Sequence, residues 1–191
     1  DLKGKRVGVR AYSQTTGLWL RGILHESFGL EPTDVRWTTF EGAHVAAYQD
    51  PPFVERAEAG KDLLAMLRAG EVDAAIVGND VPDDPSLRLL FPQPVAAGEA
   101  FFVRHGFMPI NHMIVVKREL AENPEIASEL CRLFAESKAR APLQAHDRAP
   151  IGRSAVAPCV RLAAQYAHAQ GLTPRLLEED EIWRYCPQDW S

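Results

Sequence analysis

Arg10, Tyr12, Ser13, Gln14, Thr15 and Thr16 bring a guanidinium, a phenol, three aliphatic hydroxyls and an amide into one short stretch. That collection is suited to holding an anion by charge-assisted hydrogen bonds. The residues ahead of it, Arg6-Val7-Gly8-Val9, alternate as a strand does. From Leu18 onward Leu18, Trp19, Ile23, Leu24 and Phe28 recur at helical spacing. The donors therefore fall at a helix N-terminus, where unpaired backbone N–H groups and the positive end of the helix dipole already favour negative charge. A plainer reading is also open, in which Ser13 or Thr15 only caps the helix and Gly17 only relaxes the turn. One cap needs one hydroxyl, and the excess points to a site.

Other groupings carry less. Glu41 and His44 stand at Glu-x-x-His spacing near Asp50, but no second such motif completes a metal centre. Asp80, Asp83 and Asp84 lack the alternate spacing and distal glutamate of a calcium loop and read as a polar turn. Cys131, Cys159 and Cys186 are odd in number and far apart, without a Cys-x-x-Cys pair, so neither a disulfide framework nor a zinc site is expected. Gly4-Lys5-Arg6-Val7-Gly8 matches neither dinucleotide-binding nor Walker glycine spacing. Trp19 and Trp37 are expected to pack in the core, and nothing marks Lys61 as a Schiff-base lysine. The expectation is no metal and no cofactor.

The elements that would position the donors follow from the pattern. Val35–Phe40 reads as a second strand, 41–60 as a long loop with Pro51-Pro52, Lys61–Ala69 as a short helix, and Val72–Gly78 as a small apolar strand covered on both faces. Strand, helix, strand, helix, strand is a parallel α/β unit, in which ligands bind beyond the carboxyl ends of strands. Arg10 to Thr16, the residues after Phe40, and Gly78-Asn79-Asp80 all lie at such ends. Further on, 81–94 is irregular, 95–105 helical, and Ile110–Lys117 a strand with Ile110, His112, Ile114 and Val116 on one face. Asn123-Pro124 opens a helix to about Arg140, 141–158 is a loop, and helix returns from about Ala155 to Gln170 and again from Thr173-Pro174.

The chain has 191 residues, 46% hydrophobic, which is enough for a sizeable core in one domain or two small lobes. Its net charge of −5 and scattered Lys and Arg exclude a basic nucleic-acid surface. No apolar run reaches the roughly 20 residues that span a bilayer, and the first residues hold no signal-peptide core, so a soluble chain is expected. Its start, almost directly on a strand, suggests a fragment or a processed product.

Asp1-Leu2-Lys3-Gly4-Lys5-Arg6-Val7-Gly8-Val9, the Tyr12–Gly17 turn, Ala69-Gly70-Glu71-Val72-Asp73-Ala74 and Gly106-Phe107-Met108-Pro109-Ile110-Asn111-His112 together resemble the 4,5-dihydroxyphthalate decarboxylase-like proteins. The likeness covers about Asp1 to Arg140, more loosely beyond. It implies the fold of type II periplasmic binding proteins, in which two α/β lobes clasp a ligand. Residues 1–108 would then be the second lobe with the anion site, 109–122 a returning hinge strand, and 123–191 a helical region packing on the first lobe. The N-terminal part of that first lobe would be absent, leaving apolar faces on helices 123–140 and 155–170, through which a homo-oligomer is a further option.

The resemblance implies loss of CO₂ from an aromatic dicarboxylate, which needs an acid to protonate the ring carbon. His112 is assigned that role, its imidazole titrating nearest neutrality, with Asp80 or Glu41 to orient it. Arg10, Tyr12, Ser13, Gln14, Thr15, Thr16, Asn79 and Asn111 are the expected substrate-binding residues. His112 as a hydrogen-bonded core histidine is the plainer alternative. Two other functions stay open: a solute-binding protein for a small carboxylate, and an association module with a vestigial cleft. A cytoplasmic location goes with the enzyme, a periplasmic one with the solute-binding protein.

Overall fold

The computed structural model describes residues 2–43, 45–78 and 81–184. Its centre is a four-stranded, all-parallel sheet in the order β3-β2-β1-β4, formed by β1 (Arg6–Val9), β2 (Arg36–Thr39), β3 (Val54–Arg56) and β4 (Ala74–Ile76). β1 is central because it is the strand most apolar on its packed face, with Val7 and Val9 almost wholly buried. It pairs Val7 with Trp37 on one side and with Ala74 on the other. α1 (Thr15–Phe28) connects β1 to β2, and α2 (Leu63–Arg68) connects β3 to β4, the crossovers that parallel pairing demands.

The chain divides into two compact units. The first, Asp1–Arg88 with Tyr166–Arg175, holds the sheet. Its core is Val7, Val9, Tyr12, Val35 and Trp37, and the Trp37 indole donates to the Pro32 carbonyl at 2.8 Å. Arg6 ties the start of β1 to β4, its Nε 3.1 Å from Asp73 Oδ2 and its Nη2 donating to the Gly70 carbonyl at 2.8 Å.

The second unit, Leu89–Gln165 with Leu176–Ser191, is helical among its described residues. It holds α3 (Pro94–His105), α4 (Arg118–Ala121), α5 (Pro124–Ala139), most of α6 (Arg153–Ala169) and α7 (Glu179–Ile182). The last turn of α6, from Tyr166, belongs to the first unit. Asn123 caps α5, its side chain accepting the N–H groups of Glu125 and Ile126 at 3.0 and 3.3 Å. Within this unit Phe102 stacks on His146 with ring centres 3.8 Å apart, and His146 meets Glu99 at 2.6 Å.

Four expectations are corrected. The segment 110–117 is irregular, not a strand, and Met113, Ile114 and Val115 are 54, 65 and 87% exposed. Alternation prepares a chain to pair, but a strand exists only beside a neighbour, and among the described residues of this unit there is none. The loop 41–60 contains β3, a three-residue edge strand too short to show a period. Helix α6 begins at Arg153 and runs through Pro158, where a loop was expected; burial of Ala157, Cys159 and Ala164 outweighs the proline's cost of about 3 kcal/mol. No helix starts at Thr173; α7 begins at Glu179, where Glu178 and Glu181 form a reciprocal capping box.

Candidate functional site

The turn between β1 and α1 is built by backbone bonds that leave its side chains unspent. Gln14 N–H bonds back to the Ala11 carbonyl at 3.1 Å, and the Gln14 carbonyl accepts Leu18 N–H at 3.0 Å, which starts the helix. Gln14 occupies the cap position in an extended conformation, and its side chain makes no capping bond. Ser13 Oγ and Gln14 Oε1 are buried without a hydrogen-bond partner. Thr15 is exposed and Thr16 half-buried. The first N–H groups of α1 have no carbonyl below them, as at any helix start, and the cap residue Gln14 gives them no side-chain hydrogen bond. Buried polar atoms left unpaired are uncommon in folded proteins, and each calls for a reason.

Arg10 is exposed at the end of β1, its Nε 3.5 Å from Glu41 Oε2. Its carbonyl accepts the N–H groups of Phe40 and Glu41 at 3.0 and 2.8 Å, which binds the carboxyl ends of β1 and β2 together beside the turn. Glu41 is thus engaged with Arg10.

Tyr12 faces the core. It is 0% exposed, its ring lies edge-on to Trp37 and Phe53 with centres 5.9 Å apart in each case, and its hydroxyl donates to the Gln170 carbonyl at 3.2 Å. Burial is the main reason its hydroxyl titrates higher than usual.

Beside Tyr12 lies Arg21, a residue the sequence reading passed over. It is 2% exposed, with its guanidinium carbon 3.9 Å from the centre of the Tyr12 ring. Its Nε donates to Gln170 Oε1 and its Nη2 to the Tyr12 carbonyl, both at 2.7 Å, while Nη1 has no partner. Burial pulls this guanidinium down to about 10, opposed by Tyr12, Tyr48 and Asp50. The Tyr48 hydroxyl and Asp50 Oδ1 are themselves buried and unpaired. Tyr48 is pushed up to about 12, chiefly by burial and next by Asp50. A signal was available: Arg21 stands three residues after Leu18 and three before Leu24, on the face that α1 buries.

Asn111 and His112 belong to the second unit and are exposed, with Asn111 Nδ2 and His112 Nδ1 3.5 Å apart. Ile110, His112, Ile114 and Val116, the four expected to share a face, all line a cavity of about 520 Å³ in that unit, together with Leu130 and Phe134. Asn79, Asp80 and His44 lie outside the described residues, as does Cys186. Cys131 and Cys159 are free thiols. Among the described residues no group of three or more His, Cys, Asp and Glu side chains is placed to hold a metal ion. No helix among them is long and apolar enough to cross a membrane.

No protein-family model matches the chain. It is similar to two curated proteins. One is a 4,5-dihydroxyphthalate decarboxylase of Comamonas testosteroni, 27% identical over 204 residues, an alignment taking in 97% of this chain and 57% of the relative. The other is a 4,5-dihydroxyphthalate decarboxylase of Pseudomonas putida, 32% identical over 116 residues, 53% of this chain and 44% of the relative. The chain spans about half the length of these relatives. Both likenesses support the family resemblance read from the sequence.

Proposed function

We propose that the protein removes CO₂ from an aromatic dicarboxylate of the 4,5-dihydroxyphthalate type, and that the start of α1 holds the carboxylate that stays on the ring. The observation that carries this is the set of unspent donors at that helix start: backbone N–H groups that receive no capping bond from Gln14, with the buried, unpartnered Ser13 Oγ in the same turn. Similarity across nearly the whole chain to a protein named for that reaction supports it. The sheet unit is read accordingly as a lobe of the type II periplasmic-binding-protein kind.

The chemistry needs no electron sink beyond the ring. A proton delivered to the carbon that bears the leaving carboxylate makes that carbon tetrahedral. The bond to the carboxylate then breaks, its electron pair restores the aromatic ring, and CO₂ departs. The ortho-dihydroxy pattern stabilises the cationic ring during protonation. His112 is assigned as proton donor, and its imidazole regains the proton from water. Asp80 is assigned to orient the acid and Asn79 to bind the substrate, with Arg10, Gln14, Thr15, Thr16 and Asn111 as further binding residues.

The test is incubation of the protein with 4,5-dihydroxyphthalate while following CO₂ and 3,4-dihydroxybenzoate. Turnover is expected, and His112→Gln is expected to lower kcat by about 10²- to 10⁴-fold with carboxylate binding retained. Binding without any release of CO₂ refutes the enzymatic reading.

A further inference from the structure

Two positive features meet at the start of α1. The first is the helix terminus itself, whose dipole presents about half a positive charge. The second is the guanidinium of Arg21, which folds back along α1 instead of extending to solvent. A Cβ built on Gly17, in the first turn, would sit 2.9 Å from Arg21 Nη1 and 3.6 Å from its Cζ. Gly17 thus leaves room for the guanidinium to lie against the first turn of the helix, and Nη1 is the atom nearest it.

A cation at this end of a helix is unfavourable, and burying it adds a desolvation cost of several kcal/mol that only a partner charge offsets. Among the described residues no carboxylate lies within ion-pair distance of Arg21. Asp50 acts on it electrostatically, but its Oδ2 sits 3.9 Å from Arg56 Nη2, and its Oδ1 stays unpaired. The other edges of Arg21 are fixed: Gln170 takes Nε, the Tyr12 carbonyl takes Nη2, and the Tyr12 ring covers one face. Gln170 is in turn held through its Nε2 on the Leu18 carbonyl at 2.9 Å. The guanidinium is thus clamped through Nε, Nη2 and one face, and Nη1, buried and unpartnered, lies beside Gly17 in the first turn of α1.

We infer that Arg21 is the buried counter-charge of the site, and that its Nη1 binds the retained carboxylate of the substrate together with Ser13 Oγ and the N–H groups of the first turn of α1. The inference rests on the reading of that turn as a carboxylate site and adds the residue that makes it selective for charge. A neutral ligand of the same shape would leave Arg21 uncompensated. The site therefore discriminates carboxylate from its absence more strongly than it discriminates between rings.

The experiment is calorimetric titration of the protein with phthalate and with catechol, the first carrying two carboxylates and the second none. Native protein is expected to bind phthalate and to bind catechol far more weakly. Arg21→Gln, checked for fold by circular dichroism, is expected to lose on the order of 30-fold or more in phthalate affinity with catechol unchanged. Gly17→Ala keeps the charge and crowds only the flexible end of Arg21; it is expected to weaken phthalate binding in the same direction, and it decides the matter if Arg21→Gln does not fold. Equal phthalate affinity in native protein and a folded Arg21→Gln, or in Gly17→Ala when Arg21→Gln does not fold, overturns the inference and leaves the carboxylate site standing. Failure of native protein to bind phthalate removes both.

Discussion

Close approach at single residues fixes how α1 packs. Gly22 faces Tyr166, and a Cβ at that position would fall 2.1 Å from the ring's Cε2. Trp19 meets the same ring edge-on, with centres 5.7 Å apart. Gly22→Ala is therefore expected to destabilise the protein by ~1–3 kcal/mol, the usual cost of overpacking, read as a lower urea midpoint. An unchanged midpoint would mean that the tyrosine has room to turn away. The donor cluster stands out in the sequence because its residue types are unusual together, and the fold places Ser13 Oγ in that turn, buried and without a partner. Arg21 was missed because a charged residue in an apolar stripe is easily read as an interruption, although its position among Leu18, Trp19, Gly22 and Leu24 marked it as buried. Tyr12 was counted with the binders because adjacency in sequence says nothing about which way a side chain turns, and its ring went to the core.

At the scale of elements, the junction of β1 with β4 depends on an exposed ion pair that acid should open. The side-chain hydrogen bond from Arg6, followed by the backbone one, holds the Asp73 carboxyl down at about 2, against an ordinary 3.8. Because the folded form binds its proton less readily than the unfolded one, its stabilisation is complete above about pH 4 and is lost as pH falls toward 2. Asp84, held at about 2 first by Ser86 and then by Arg68, acts in the same direction. Thermal melts between pH 5 and 2 are expected to show a shallower acid slope in Asp73→Asn than in native protein; parallel slopes would remove this account of the junction. The strands that flank helices were readable, since β1, β2 and β4 are fixed by apolar residues that any parallel sheet must bury. β3 was not, because three residues at a sheet edge, two of them exposed, carry almost no hydrophobic signal. The opposite error arose at 110–117, where a clean alternation has no neighbour to pair with.

The whole chain separates its proposed tasks between two units. The proposed carboxylate recognition belongs to the sheet unit, where the start of α1 and the buried Arg21 guanidinium lie close together. The proposed proton donor, His112, belongs to the helical unit and lines its cavity. The α/β character of the first unit and the helical character after residue 123 were both legible from periodicity. The interleaving of the units was not, since it turns on the last turn of α6 and on 166–175 returning to the sheet unit, long-range contacts that no local pattern records. Titration of ¹⁵N-labelled protein with phthalate, followed by amide chemical shifts, tests the central claim most directly. The account predicts that the largest changes fall on the N–H groups of Thr15, Thr16 and Gly17 and on the Arg21 side-chain Nε–H. Saturable shifts confined to other residues, with those four signals unmoved, would contradict it.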